Sequence, residues 1–156
     1  MPDERMRNEA EHVLARIWEA LAEATTQRTG FTRAVLATAT VEGQPRARSV
    51  IVRDFTRDPE RIALTTDIRS AKVAEIHDNQ QVALVFYDET TSVQCRAEGI
   101  ATVIPEEPDK QTPLERSAWI SIEVQALDWL DLSDEPHQRW QFVRRRDSWQ
   151  GQPVAP

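Results

Sequence analysis

Apolar residues recur at steps of three and four along residues 9–28, where Ala10, Val13, Leu14, Ile17, Trp18, Leu21 and Ala24 form one stripe between charged positions. That period predicts an amphipathic helix with one buried face, and Gly30 is placed to stop it. From residue 33 the period changes. RAVLATAT (33–40) is rich in small and β-branched apolar residues, VEGQP carries the turn residues Gly43 and Pro45, and RARSVIVRDF (46–55) resumes a strand pattern. Residues 33–55 therefore predict a hairpin. RIALTT (61–66) predicts a third strand, and a short helix follows over about 70–77. QVALVFYD (81–88) and SVQCRAEGIATVI (92–104) predict a second antiparallel pair. Beyond the proline-rich acidic stretch PEEPDKQTP, the pattern predicts a short helix over 113–120, a strand near 122–127 and a last strand in HQRWQFVRR.

The tally is six to seven strands with two or three helices. Short turns between successive strands make the sheet largely antiparallel, so the fold expected is mainly β with flanking helices. A doubly wound parallel sheet needs helices alternating with strands and does not fit. A closed or half-closed barrel fits better, because closure hides edges that VALVFY would otherwise expose. At 156 residues the chain reads as one domain, 1–156.

Charge and cysteine content narrow the function. With 19 basic and 26 acidic residues the net charge is −7, which argues against a general nucleic-acid binder. The single Cys95 excludes an intrachain disulfide and a four-cysteine metal site; no other metal-ligand spacing is present. The first twelve residues are polar, and the longest apolar run is too short to span a bilayer. The expectation is a cytoplasmic protein with no membrane partner.

Against that acidic background, TTDIRSAKVAEI (65–76) places Arg69, Ser70 and Lys72 at a helix start. A helix N-terminus offers unpaired N–H groups and partial positive charge, and these side chains add a fork of donors, a hydroxyl and a point charge, a set that suits a phosphate. Ordinary capping by Ser70 with solvated Arg69 and Lys72 explains the segment equally. RARSVIVR adds cations to an apolar strand: Arg46 and Arg48 share a face with Val50 and Val52, and Arg53 falls on the other with Ser49 and Ile51. A strand end with exposed arginines is one account; convergence of Arg48 with Lys72 on one anion is the other.

The order R-x-V-I-V-R, T-T, S-x-K opening a helix, and Q-x-R on a later strand resembles the pyridoxamine 5'-phosphate oxidase superfamily of FMN-binding split β-barrels, from about Trp18 to Pro156. The resemblance implies an antiparallel split barrel binding FMN as a homodimer, with oxidoreductase chemistry on an unknown small molecule or redox partner. It implies that Arg48, Ser49, Val50, Ile51, Val52 and Arg53 form the strand beneath the flavin, with Arg48 at the phosphate. Thr65 and Thr66 would lie beside the cofactor, and Ser70 and Lys72 would hold the phosphate. The family's arginine before that lysine is Ala71 here, and Arg69 is its candidate replacement. Gln94 would reach the flavin across the dimer interface. Trp129 and Arg139 would approach it late in the chain, and Trp149 to Pro156 resembles the family's ending. Taken singly, Gln94 also reads as strand surface and Trp129 as core packing. A non-catalytic flavin- or haem-binding protein on the same barrel is the alternative, with His77 and His137 the few axial candidates.

The substrate side departs from the family. The stretch 105–120 is short and lacks the expected tyrosine, and Glu135 stands where an arginine is expected, ahead of Pro136 and His137. The vitamin B6 phosphate site is therefore expected to be lost, and a neutral or cationic substrate or a redox partner to replace it.

Overall fold

A computed structural model describes residues 3–106 and 117–156. Helix α1 (Glu4–Thr26) begins earlier than its apolar stripe predicts, because the Asp3 carboxylate caps it, accepting the Met6 N–H at 2.8 Å. It ends at Gln27, ahead of Gly30, and the Thr32 hydroxyl donates to the last-turn Ala24 carbonyl at 2.9 Å. Its buried face is Val13, Ile17, Trp18, Leu21 and Ala24. Trp18 stacks on Phe55 at 5.9 Å and meets Trp149 edge-on at 5.4 Å.

The strands are β1 (Arg33–Ala39), β2 (Pro45–Ile51), β3 (Asp54–Thr56) and β4 (Arg61–Asp67), then, after α2 (Ala71–Asp78), β5 (Gln81–Asp88), β6 (Val93–Pro105), β7 (Ser117–Asp131), β8 (Gln138–Arg145) and β9 (Ser148–Val154). All pairings are antiparallel, in the order β2-β1-β5-β6-β7-β4-β3, with β8 joining β7 and β9 joining β8. The path does not close into a ring, so of the two barrels expected the half-closed one is present.

Among the described residues nine strands replace the expected six to seven, for two reasons. The strand expected over 46–55 breaks after Ile51: the Val52 N–H donates to the Thr32 carbonyl and the Arg53 N–H to the Ala63 carbonyl, both at 2.9 Å, so the chain leaves β1 there and crosses to β4. Residues 148–154, expected only as a family ending, form β9. The helix expected over 113–120 lies outside the described residues up to 116, and residues 117–120 open β7. There Ala118, Ile120, Ile122 and Val124 are buried while Ser117, Trp119, Ser121 and Glu123 are partly exposed, the alternation of a strand.

β7 serves two partners. Residues 117–123 pair with β4, residues 126–131 with β8, and β6 runs along both halves. The register shifts at Glu98/Gly99, where Glu98 faces Ala126 and Gly99 faces Val124, leaving Gln125 as the extra residue of a bulge. This bulge is where the barrel splits.

Candidate functional site

Register determines which side chains can meet. Arg48 lies opposite Leu36, Leu36 opposite Leu84, Leu84 opposite Ala97, and Ala97 opposite Leu127. Leu36, Leu84, Ala97 and Leu127 are core residues, so Arg48 projects from the interior face, at the barrel end that α2 covers. Its guanidinium donates to the Leu36 carbonyl at 3.2 Å, the Thr38 hydroxyl at 2.8 Å and the Glu75 carboxylate at 2.7 Å. The buried Thr38 hydroxyl donates in turn to the same Glu75 oxygen at 2.8 Å. The Thr38 hydroxyl bond, together with the Arg48 hydrogen bond and charge, outweighs burial and holds the Glu75 carboxyl below the ordinary range.

Lys72, one turn before Glu75 on α2, is half-buried and makes no hydrogen bond or ion pair with the described residues. Burial, followed by the Arg48 charge, lowers its pKa despite Asp67 and Glu75. A buried cation in that condition favours a bound anion. Ser70 is the N-cap of α2, but its side chain makes no capping bond; its hydroxyl meets that of Thr66 at 3.2 Å. The Val73 N–H donates to the Ser70 carbonyl at 3.1 Å, while the Ala71 and Lys72 N–H groups keep their capacity for another acceptor. Thr65, the next residue back, is exposed.

Arg69 does not stand free beside Lys72. It forms a two-point pair with Asp67 (Nε to Oδ1 3.0 Å, Nη2 to Oδ2 2.6 Å), and this side-chain bond and the Asp67 charge raise its pKa. Its charge is offset locally, which weakens its claim to replace the arginine missing at Ala71.

Along β2, Val50 is buried, Ile51 half-buried and Ser49 exposed; Val52 beyond it is buried and Arg53 exposed. β2 terminates the strand path, so the backbone on its outer edge has no strand partner among the described residues. The guanidinium of Arg53 also has no partner among them.

Gln94, Trp129 and Arg139 are not brought to this cluster. Gln94 lies opposite Tyr87 and Leu130, and Leu130 opposite Arg139, on the exterior face of the sheet. Arg139 donates to the buried Asp128 through Nε at 3.1 Å and Nη2 at 2.7 Å. Trp129 faces the interior, 4% exposed, edge-on to Phe31 at 6.2 Å with the Arg16 guanidinium 5.5 Å above its ring. Its surface is used in the core. Of the histidines, His77 is exposed on α2, and His137 lies 3.1 Å from the Glu135 carboxylate.

Thr38 and Glu75 belong to the cluster and were not anticipated from sequence. So does Asp128 to the exterior one, where Arg96, Arg139 and Gln141 meet its carboxylate at 3.4, 2.7 and 2.9 Å. Burial raises its pKa, but the hydrogen bonds from Arg139 and Gln141 and the two arginine charges outweigh it and hold the carboxyl below its ordinary 3.8. A depressed carboxylate stabilises the fold above the unfolded-state pKa and loses that contribution as pH falls through the folded value. Asp128→Asn is therefore expected to destabilise by about 1.5 kcal/mol at neutral pH, with the gap from the unmodified protein narrowing below pH ~4. Thermal melts across pH check this; a gap independent of pH contradicts it.

An open antiparallel barrel with an anion-adapted helix start at one end defines a class of cofactor- or phosphate-binding β protein. The comparisons make it specific: a family model described as "Pyridoxamine 5'-phosphate oxidase, FMN-binding domain" matches residues 15–105, and the chain belongs to that family. Pyridoxine/pyridoxamine 5'-phosphate oxidases of Microcystis aeruginosa and Anaplasma marginale are 36% and 33% identical over 106 and 126 residues. Those matches cover 64% and 77% of this chain, but only 49% and 55% of the relatives, so the chain spans about half their length. A pyridoxamine 5'-phosphate oxidase-related FMN-binding protein from Nostoc punctiforme superposes with TM-score 0.79 at 21% identity, covering 91% of this chain and 96% of that one. PhzG from Burkholderia lata, solved with tetrahydrophenazine-1-carboxylic acid, superposes at 0.72 with 18% identity, covering 94% and 93%. These likenesses show the split-barrel fold. No described helix is long and apolar enough to cross a membrane.

Proposed function

We propose that this chain binds FMN and acts as a flavin-dependent oxidoreductase on a small molecule or redox partner. The observation that carries the reading is Lys72, a half-buried ammonium with no hydrogen-bond or ion-pair partner among the described residues, near Arg48 and two hydroxyls at a helix start that no side chain caps. These donors suit a phosphate monoester: one cation and two hydroxyls lie at the start of α2, and Arg48, held by Glu75, is near enough for its charge to act on Lys72. Lys72, Arg48, Ser70 and Thr66 would hold the phosphate, and the open edge of β2 from Ser49 to Ile51, with Val52 just beyond it, would meet the ring. Arg53 would place a cation where negative charge develops on reduction. Bound FMN supplies two-electron redox chemistry. The protein purified from cells is expected to carry visible flavin absorption, released on denaturation as FMN; a colourless protein that takes up no added FMN contradicts the reading.

The working unit we propose is a homodimer. Gln94 and Arg139 project from the face opposite Arg48, so within one chain they cannot complete its site. That exterior face also carries the exposed apolar residues Val35, Tyr87 and Val143, a surface suited to a second copy. Sedimentation at micromolar concentration is expected to give a dimer. A monomer that still binds FMN tightly rules out a site shared between copies.

A further inference from the structure

A second cavity, of about 780 Å³, opens where the α1–β1 loop, the β2–β3 junction and the β5–β6 turn meet. Arg28, Arg33 and Arg53 line it from three separate segments, and none of their guanidiniums has a hydrogen-bond or ion-pair partner among the described residues. Arg48, Arg69, Arg96, Arg139 and Arg144, by contrast, are engaged by carboxylates. Asp88 and Glu89 also line the cavity. Asp88 is partly committed, its Oδ1 accepting the Thr90 N–H at 2.9 Å. Gly30 lets the loop close on this turn, since a Cβ there would lie 2.6 Å from the Asp88 Cα. Ile51, Val52 and the 45% exposed Tyr87 supply apolar wall and one aromatic ring.

We infer that this cleft binds a small organic monoanion, with a carboxylate on the arginines and a flat apolar body against Tyr87 and Ile51. Guanidinium forks match a carboxylate in two-point geometry. The lining carries one net positive charge, which matches a monoanion; a phosphate dianion would face Asp88 and Glu89 with a charge in excess. The cleft shares Ile51, Val52 and Arg53 with the strand assigned to the flavin ring. Its role as the substrate site rests on the FMN reading, but its ligand class does not. A carboxylate substrate replaces the neutral or cationic one expected from Glu135 and the acidic 105–120 stretch.

The test uses benzoate and phenyl phosphate as probes of equal body and different charge. Calorimetric titration of the whole protein is expected to show benzoate binding and weaker phenyl phosphate binding. Arg28→Ala with Arg33→Ala should weaken benzoate roughly tenfold or more and leave FMN affinity unchanged; Arg33→Lys should fall between. No benzoate binding at millimolar concentration, an unaltered double variant, or phenyl phosphate binding as tightly as benzoate overturns the inference. If benzoate behaves as expected but FMN does not bind, the cleft assignment stands and the flavin reading falls.

Discussion

Gly99→Ala is expected to lower stability by about 3 kcal/mol or more. A Cβ at that position would lie 2.1 Å from the Glu123 carbonyl oxygen, 2.9 Å from its carbon and 3.1 Å from the Ile122 methyl. Two of those three atoms are backbone, so no rotamer change relieves the contact. The backbone in question sits at the bulge where β7 passes from β4 to β8, and the Val124 N–H beside it donates to the Glu60 carbonyl at 3.0 Å. Glu60 is buried and held by Arg144 at 3.4 Å. Moving the strand by the necessary ångström would disturb pairing on both sides of the split. For a chain of this size the loss corresponds to a fall in Tm of roughly 6–12 °C. A variant melting within about 2 °C of the unmodified protein would show that the bulge accommodates a side chain.

The second large effect concerns the cofactor. Lys72→Ala is expected to weaken FMN by about 1.5–3 kcal/mol, the value of a charged hydrogen bond, or roughly 10- to 150-fold in Kd. Lys72 is a cleaner probe than Arg48. Removing Arg48 would also leave the Leu36 carbonyl, the Thr38 hydroxyl and the Glu75 carboxylate without their shared donor, mixing folding with binding. Lys72 has no such duties among the described residues. Glu75→Gln should act in the opposite direction, tightening FMN a few-fold, because it removes the negative charge that offsets Arg48 while keeping an acceptor for Thr38 and Arg48.

The sequence exposes the parts of this site that depend on local pattern. Ser70 and Lys72 are visible because hydroxyl and cation fall at a helix start, and Arg48 because a charge interrupts an apolar strand. Thr38 is hidden inside RAVLATAT, where a threonine is an ordinary strand residue; only the packing of α2 over β1 and the reach of Arg48 from β2 give it partners. Glu75 reads as helix surface until Arg48 is brought across from β2. The Arg69–Asp67 pair was within reach, two residues apart in TDIRS, but its consequence, a cation already satisfied, needed the turn geometry. Trp129 reads both as core packing and as a flavin neighbour, because an aromatic near a strand end does not declare its face; the register with Cys95 and Trp140 puts it inside. Likewise the whole of β7 was underestimated. Its first half alternates polar and apolar residues as a strand does, but it follows prolines that favour a loop-and-helix reading. Gly99 gave the sole hint of the bulge, as a glycine inside a strand pattern.

The proposed function turns on an anion held at the start of α2. The direct measurement is the affinity of the protein for FMN and for riboflavin, which differ by the phosphate alone, before and after Lys72→Ala. The unmodified protein is expected to prefer FMN by at least tenfold, about 1.4 kcal/mol, with most of that preference gone in the variant and riboflavin affinity nearly unchanged. Equal affinity for the two flavins in the unmodified protein, or a preference that survives loss of Lys72, would place the phosphate elsewhere and contradict the account.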